Sequence, residues 1–159
     1  MFIYAEWLFI SNTDTSHVAT DIVHVIDAEL RVLQEMRYST LEEKTMQAEK
    51  VMFELLAVTK MLDEGAREFT TAMCGAIKRE EEFFAGIGED EGSRFELMLS
   101  YLHRRLKEAS TLEDLNRVIE ALIKFGSAVI VTYRLFISKD LEYVKTLKKV
   151  SGGSPLPQF

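Results

Sequence analysis

Proline is missing from the chain up to position 154; Pro155 and Pro157 lie within the last five of its 159 residues. Because proline removes a backbone donor and clashes with the preceding turn, its absence leaves long helices uninterrupted. Apolar and small residues then recur in steps of four and three, the 3.5-residue period of packed helices. This seam occupies positions 41, 45, 48, 52, 55, 59, 62, 66, 69, 73, 76, 80, 83 and 87. The sequence therefore predicts an all-α fold with one long helix.

Three S-x-x-E boxes mark predicted helix starts, at Ser39–Glu42, Ser93–Glu96 and Ser110–Glu113. In such a box the serine accepts from the third helical amide and the glutamate reaches back to the cap amide. Together with the apolar stripes, the boxes predict an antiparallel bundle of four to five helices. The predicted bounds are 16–37, 40–85, 94–109 and 111–149, with a glycine-rich loop at 86–92.

Gly65 interrupts the long seam and leaves two structures open. A turn there would split the segment into a hairpin, since glycine suits the left-handed cap position. However, Asp63 and Glu64 precede it, and acids are unfavourable at the C-terminal end of a helix. We therefore expect a continuous or kinked helix over 40–85, with the hairpin as the alternative.

Two apolar segments, 1–10 and 125–137, are rich in β-branched and aromatic residues and could pair as strands. The helical stripe runs unbroken through 126–136, which favours helix for the second; the first stays open between helix and strand. We expect one domain over 1–150, with residues 1–15 as an apolar arm and 151–159 as a flexible, linker-like tail.

The net charge of −7 argues against nucleic-acid binding, which depends on a basic field. A single cysteine, Cys74, excludes an internal disulfide and fits a reducing compartment. Neither apolar segment is long enough to span a bilayer, and the first lacks the basic start of a signal peptide. We expect a cytoplasmic protein without a membrane span.

No residue pattern predicts catalysis. Glu-x-x-His pairs of di-iron bundles are absent, and the glycine loop lacks a Walker lysine. His17 and His24 share a helical face, but two surface histidines are the more ordinary explanation, and Cys74 is expected to be buried. We predict a non-enzymatic protein with no metal and no cofactor.

The final helix is apolar around its whole circumference between 125 and 137, where only Ser127, Thr132 and Arg134 are polar. Such a helix is either central in the core or covered by a partner, which could be a second copy or a foreign helix. The partner-binding candidates on it are Leu122, Val129, Tyr133 and Phe136.

A positive cluster precedes that helix, formed by Arg94, His103, Arg104, Arg105 and Lys107. It is either an exposed face balanced by neighbouring glutamates or a docking site for an acidic partner segment.

The stretch 98–109, MLSYLHRRLKEA, resembles the signature of FliS-type flagellar export chaperones. Matching positions are Tyr101, Arg104, Arg105, Leu106, Glu108 and Ala109, and the likeness covers about 35 residues; Leu99, Ser100, Ser110 and Val129 depart from the family pattern. The resemblance implies a cytoplasmic bundle that holds the disordered terminal segment of a secreted subunit as helices. It adds Tyr101, Arg104 and Arg105 to the candidate partner-binding residues.

Two alternative functions stay open. His103, followed by Leu106 and Lys107, is similar to the phosphoacceptor pattern of histidine phosphotransfer bundles, with a different spacing. The seam over 41–87 could instead form an intermolecular coiled coil, which would make the protein a self-associating homodimer.

Overall fold

The computed structural model describes residues 15–138 and Glu142, and within this part of the chain it contains five α-helices and no strand. They are α1 (Thr15–Glu35), α2 (Leu41–Gly65), α3 (Arg67–Glu80), α4 (Phe95–Glu108) and α5 (Leu112–Ser138). Short 3₁₀ helices, Glu82–Phe84 and Glu91–Ser93, flank the turn between α3 and α4. The all-α prediction is confirmed, and 125–137 is helical. The questions about 1–10 and 139–149 lie outside the described residues, except that Glu142 is helical.

Polar contacts between helices define the direction of each one. Glu29 on α1 accepts from Gln47 and pairs with Lys50 on α2, so these two helices form an antiparallel hairpin. Lys44 near the start of α2 donates to Asn116 near the start of α5 over 3.1 Å. At the far end, Gly65 lies beside the ring of Phe136. Helices α2 and α5 therefore run parallel, with α4 antiparallel to α5 through the short connection 109–111.

The long helix expected over 40–85 is interrupted at Ala66, whose backbone is not helical (φ −130°, ψ 47°). Helix α3 then contacts α5 in the reverse order: Phe69 packs on Phe136, whereas Glu81, just past the end of α3, pairs with Lys124. Because α2 runs parallel to α5 and α3 runs antiparallel to it, the chain reverses direction at the joint between α2 and α3. The turn at Gly65 is thus the closer of the two expectations, although the bend falls one residue later.

Helices α2, α4 and α5 start where the three boxes were predicted, but none of the three serines is the capping residue. Thr40, not Ser39, accepts from the Glu43 amide, and Thr111, not Ser110, accepts from the Asp114 amide. Ser93 donates to the Asp90 carbonyl instead of capping α4. In both Ser-Thr pairs the second hydroxyl residue takes the cap, so the predicted box registers are wrong by one residue.

The seam of α2 and α3 faces inward. Its positions from 48 to 76 are all buried: Ala48, Met52, Leu55, Thr59, Leu62, Ala66, Phe69, Met73 and Ala76. All of these residues except Thr59 and Ala76 belong to one apolar core shared with α1, α4 and α5. In this fold the seam from 48 to 76 is filled by the chain's own helices, so these positions are not exposed for an intermolecular coiled coil.

Candidate protein-interaction surface

Three of the predicted partner-binding residues, Tyr101, Arg104 and Arg105, meet on the outer side of α4. The Arg104 guanidinium lies 5.4 Å from the centre of the Tyr101 ring. The Arg105 guanidinium lies 5.5 Å from the centre of the Phe83 ring, which comes from the 3₁₀ helix after α3. The Phe83 and Tyr101 rings pack edge to face at 71°, with their centroids 5.6 Å apart. We call Phe83, Tyr101, Arg104 and Arg105 the cationic aromatic surface.

Buried neighbours fix the position of this surface. The Tyr101 hydroxyl donates to the Phe83 carbonyl over 3.3 Å. Phe84, fully buried, packs on Tyr101 from below and on Phe125 of α5. Aromatic side chains have few rotatable bonds, so holding the two rings in place costs little conformational entropy. The fixed rings then give the two arginines a surface on which to stack.

Among the described residues, the two arginines of the cationic aromatic surface make a single ion pair. Both arginines are exposed, as are the adjacent His103 and Lys107. Arg105 has a 3.7 Å pair with Glu108 in which both side chains are about half exposed, so the pair is weak. Within the described part of the chain, Arg104 has no carboxylate at ion-pair distance. A guanidinium presents a planar fork of donors that matches a carboxylate, so this surface suits acidic side chains.

The other four predicted partner-binding residues lie elsewhere. Leu122, Val129 and Tyr133 are in the core, with at most 3% of their surface exposed. Phe136 is half-buried against Phe69, near the far end of α5. Of the two alternatives for this helix, the fold favours the core position: α5 is the central helix, and most of its apolar circumference packs inside the bundle.

The same packing bears on the membrane question. By length and composition α5 could cross a bilayer, but 61% of its most apolar window is buried inside the bundle. A mostly buried helix of this kind is typical of a protein core. The apolar composition of α5 is therefore only weak evidence for a membrane span.

Arg94, the first residue of the predicted positive cluster, is separated from the others and serves the start of α4. The Asp63 carboxylate, completely buried at the end of α2, accepts from the amides of Phe95 and Glu96 over 3.0 and 2.9 Å. Arg94 lies 4.0 Å from the same carboxylate and 3.5 Å from Glu96. Burial raises the pKa of Asp63, although the two amides and Arg94 act in the opposite direction. Asp63 therefore supplies the cap that the sequence assigned to Ser93.

No group of three or more metal-ligating side chains occurs among the described residues. His24 and His103 are both exposed, whereas the side chain of His17 lies outside the described set. Cys74 is buried, as expected, and burial raises the pKa of its thiol well above the ordinary value. A neutral, inaccessible thiol is a poor nucleophile.

Sequence reasoning missed Phe83 as a surface residue, because it appeared only as one more position of the seam. The signal available was its place beside the glycine-rich turn, where a seam residue can leave the core. No known protein family, curated protein or solved structure matches the chain.

Proposed function

We propose that this protein is a non-enzymatic binding protein that holds an acidic segment of another protein against the cationic aromatic surface. The observation that carries the proposal is the stacking of Arg104 and Arg105 on Tyr101 and Phe83 in a chain whose net charge is −7. The local positive charge of this surface favours acidic segments over basic ones, although the protein as a whole is negatively charged.

The specific form that we propose is a cytoplasmic export or assembly chaperone for a flagellar-type secreted subunit. Support comes from the resemblance of 98–109, because two of its matching arginines and its matching tyrosine form the surface itself. A disordered segment that folds on this surface would be protected from premature assembly while it is bound.

The binding test uses a fluorescein-labelled amphipathic peptide with glutamates on its polar face and leucines on its apolar face. We expect fluorescence anisotropy to show binding that weakens with salt, and at least a tenfold loss of affinity in the Arg104→Ala/Arg105→Ala variant. Arg117→Ala is the matched control, since Arg117 is exposed on α5 and pairs with Glu113. Equal affinity for a peptide with glutamines in place of the glutamates would overturn the proposal.

The chaperone form has its own test. A terminal segment of a flagellin-type subunit should gain helical circular dichroism when mixed with the protein, and the double arginine variant should abolish the gain. If the protein binds the acidic peptide but the flagellin segment gains no helical signal, the binding surface would be supported and the flagellar role would be rejected.

Histidine phosphotransfer is the second candidate, favoured by the exposure of His103 on a bundle helix. Incubation with a small phosphodonor such as acetyl phosphate should then label the wild type and fail to label His103→Gln. Absence of label on the wild type would remove this candidate.

A further inference from the structure

Lys124 on α5 makes a partly buried ion pair with Glu81, the residue just after α3. The ammonium lies 2.5 Å from Glu81 Oε1, and the Glu81 side chain is only 14% exposed. Oε1 itself is buried, and this ammonium is its partner among the described residues. A hydrogen bond to Glu81 raises the pKa of Lys124 above its ordinary value. Because the carboxylate side of the pair is buried, water and salt screen it less than an exposed pair.

Glu81 also connects α3 to the 3₁₀ helix that carries Phe83. The Glu81 amide donates to the Ile77 carbonyl over 2.8 Å, in the last turn of α3. The Glu81 carbonyl accepts from the Phe84 amide over 3.0 Å, which closes the turn over Phe83. The position of Glu81 therefore sets where the backbone of Phe83 lies.

Phe83 is held on both sides along the chain. On one side is the ion pair of Glu81 with α5, and on the other the buried Phe84 ring packs against Phe125, the residue next to Lys124. Phe83 itself is half-buried, and the Arg105 guanidinium lies over its ring. If the segment 81–84 moved away from α5, Arg105 would lose the ring on which it stacks.

The charge of Lys124 is already balanced by its surroundings. Besides Glu81, the carboxylates of Glu80 and Glu120 lie close enough to stabilise the ammonium. Lys124 is thus not a free cation that waits for an acidic partner. Any effect of Lys124 on such a partner should act through the position of its neighbours.

We propose that Lys124 is a positioning residue of the cationic aromatic surface: through Glu81 it holds the Phe83 ring beneath the Arg105 guanidinium. This inference rests on the proposed function, because the position of Phe83 matters only if the surface binds an acidic segment. Side chains that are held in place before binding lose less conformational entropy when the partner arrives. The affinity for the partner therefore depends on an ion pair outside the four residues of the surface.

Charge and position have opposite effects at Glu81, which makes the proposal testable. If only charge mattered, Glu81→Met would strengthen the binding of an acidic peptide, because it removes a nearby acid. If Glu81 positions Phe83, the same change weakens binding. Lys124→Met breaks the pair from the other side, and Lys124→Arg keeps the cation and should rescue it. Glu120→Met is the matched control, since Glu120 is an exposed acid near Lys124 and lies outside the segment 81–84.

Two measurements are made on each full-length protein, under conditions where circular dichroism shows that it is folded. Fluorescence anisotropy gives the affinity for the glutamate-bearing peptide, and hydrogen exchange gives the protection of the Phe84 amide. For Glu81→Met and Lys124→Met we expect about five- to tenfold weaker binding and faster exchange at Phe84. Lys124→Arg and Glu120→Met should match the wild type in exchange and bind the peptide at least as tightly.

The outcomes separate this inference from the proposed function. Unchanged or tighter binding by Glu81→Met, or unchanged protection of the Phe84 amide in both methionine variants, would overturn the positioning role and leave the proposed function intact. A loss of affinity in Glu120→Met as large as that in Glu81→Met would also overturn it. A wild type that does not bind the peptide would overturn the proposed function, and the positioning role with it.

Discussion

Glu54, on the α1-facing side of α2, has 4% of its surface exposed, and neither carboxylate oxygen has a hydrogen-bond partner among the described residues. Burial raises the pKa of Glu54 from 4.5 to about 7, helped by the nearby Glu29 carboxylate and opposed by Lys50. Burying an ionised carboxylate without hydrogen-bond partners costs more free energy than burying the neutral acid. At neutral pH the residue is therefore close to its midpoint of ionisation.

This carboxyl makes stability depend on pH. The folded state binds the proton more tightly than the unfolded chain, so the contribution is complete below pH 4.5 and is lost as the pH rises through about 7. We expect Glu54→Gln to unfold in urea like the wild type at pH 5, and to be more stable by on the order of 1–3 kcal/mol at pH 8. Glu49→Gln, at an exposed position of α2, is the control. An equal difference for Glu54→Gln at both pH values would contradict the assignment.

Asp63 makes a second prediction at the level of one residue. Asp63→Ala removes both acceptors of the Phe95 and Glu96 amides and should lower the free energy of unfolding by about 2 kcal/mol. Hydrogen exchange should accelerate first at those two amides, because α4 loses its cap there. Glu64→Ala, at the exposed neighbouring position, is the control. Unchanged protection of both amides in Asp63→Ala would rule out the capping role.

At the scale of elements, α1 and α5 pack closely at Gly126. A Cβ atom there would lie 2.9 and 3.1 Å from the two methyl carbons of Leu30. Alanine normally favours a helix over glycine by about 1 kcal/mol, but the crowding here opposes that gain. Gly126→Val should lower the free energy of unfolding by about 1–3 kcal/mol.

A double-mutant cycle isolates this contact. Gly126→Ala should be markedly more favourable in a Leu30→Ala background than in the wild type, because the obstructing side chain is gone. Gly75→Ala provides the comparison, since its added Cβ would touch only the flexible side chain of Arg79, at 3.4 Å or more. Additive effects of Gly126→Ala and Leu30→Ala on the free energy of unfolding would show that the contact is unimportant.

The joint at Ala66 shows why the boundary between α2 and α3 could not be predicted from the sequence. Asp63 and Glu64 looked unfavourable at a helix end, and so a continuous helix was expected. In the fold, the buried Asp63 faces the amides of α4, more than thirty residues along the chain. An interaction between residues so far apart in sequence leaves no local signature, whereas the seam itself is local and was read over both helices.

The whole molecule is organised around α5, and this yields a test of the core. Val129 has no exposed surface, so Val129→Asp places a carboxylate in the centre of the bundle. We expect a loss of more than about 3 kcal/mol and no cooperative thermal transition by circular dichroism. Val32→Asp, at a half-exposed position of α1, should unfold cooperatively. A stable Val129→Asp protein that only fails to bind partners would show that α5 is a groove and not the core.

The sequence by itself determined the helical class, both ends of α1 and α4 and the start of α5 to within two residues, and the inward stripe of α2 and α3. These follow from the absence of proline and from apolar spacing, both of which act within a few turns of helix. The sequence also singled out Tyr101, Arg104 and Arg105 as candidates, but it could not place Phe83 beside them.

Only the tertiary structure decided which helix is central, where the long seam reverses, and which apolar residues remain exposed. Apolar composition is the same for a core helix and for a covered surface, because both remove hydrophobic area from water. The difference depends on which helices pack on α5, and that is set by contacts between distant parts of the chain, such as Lys44 with Asn116 and Asp63 with the start of α4.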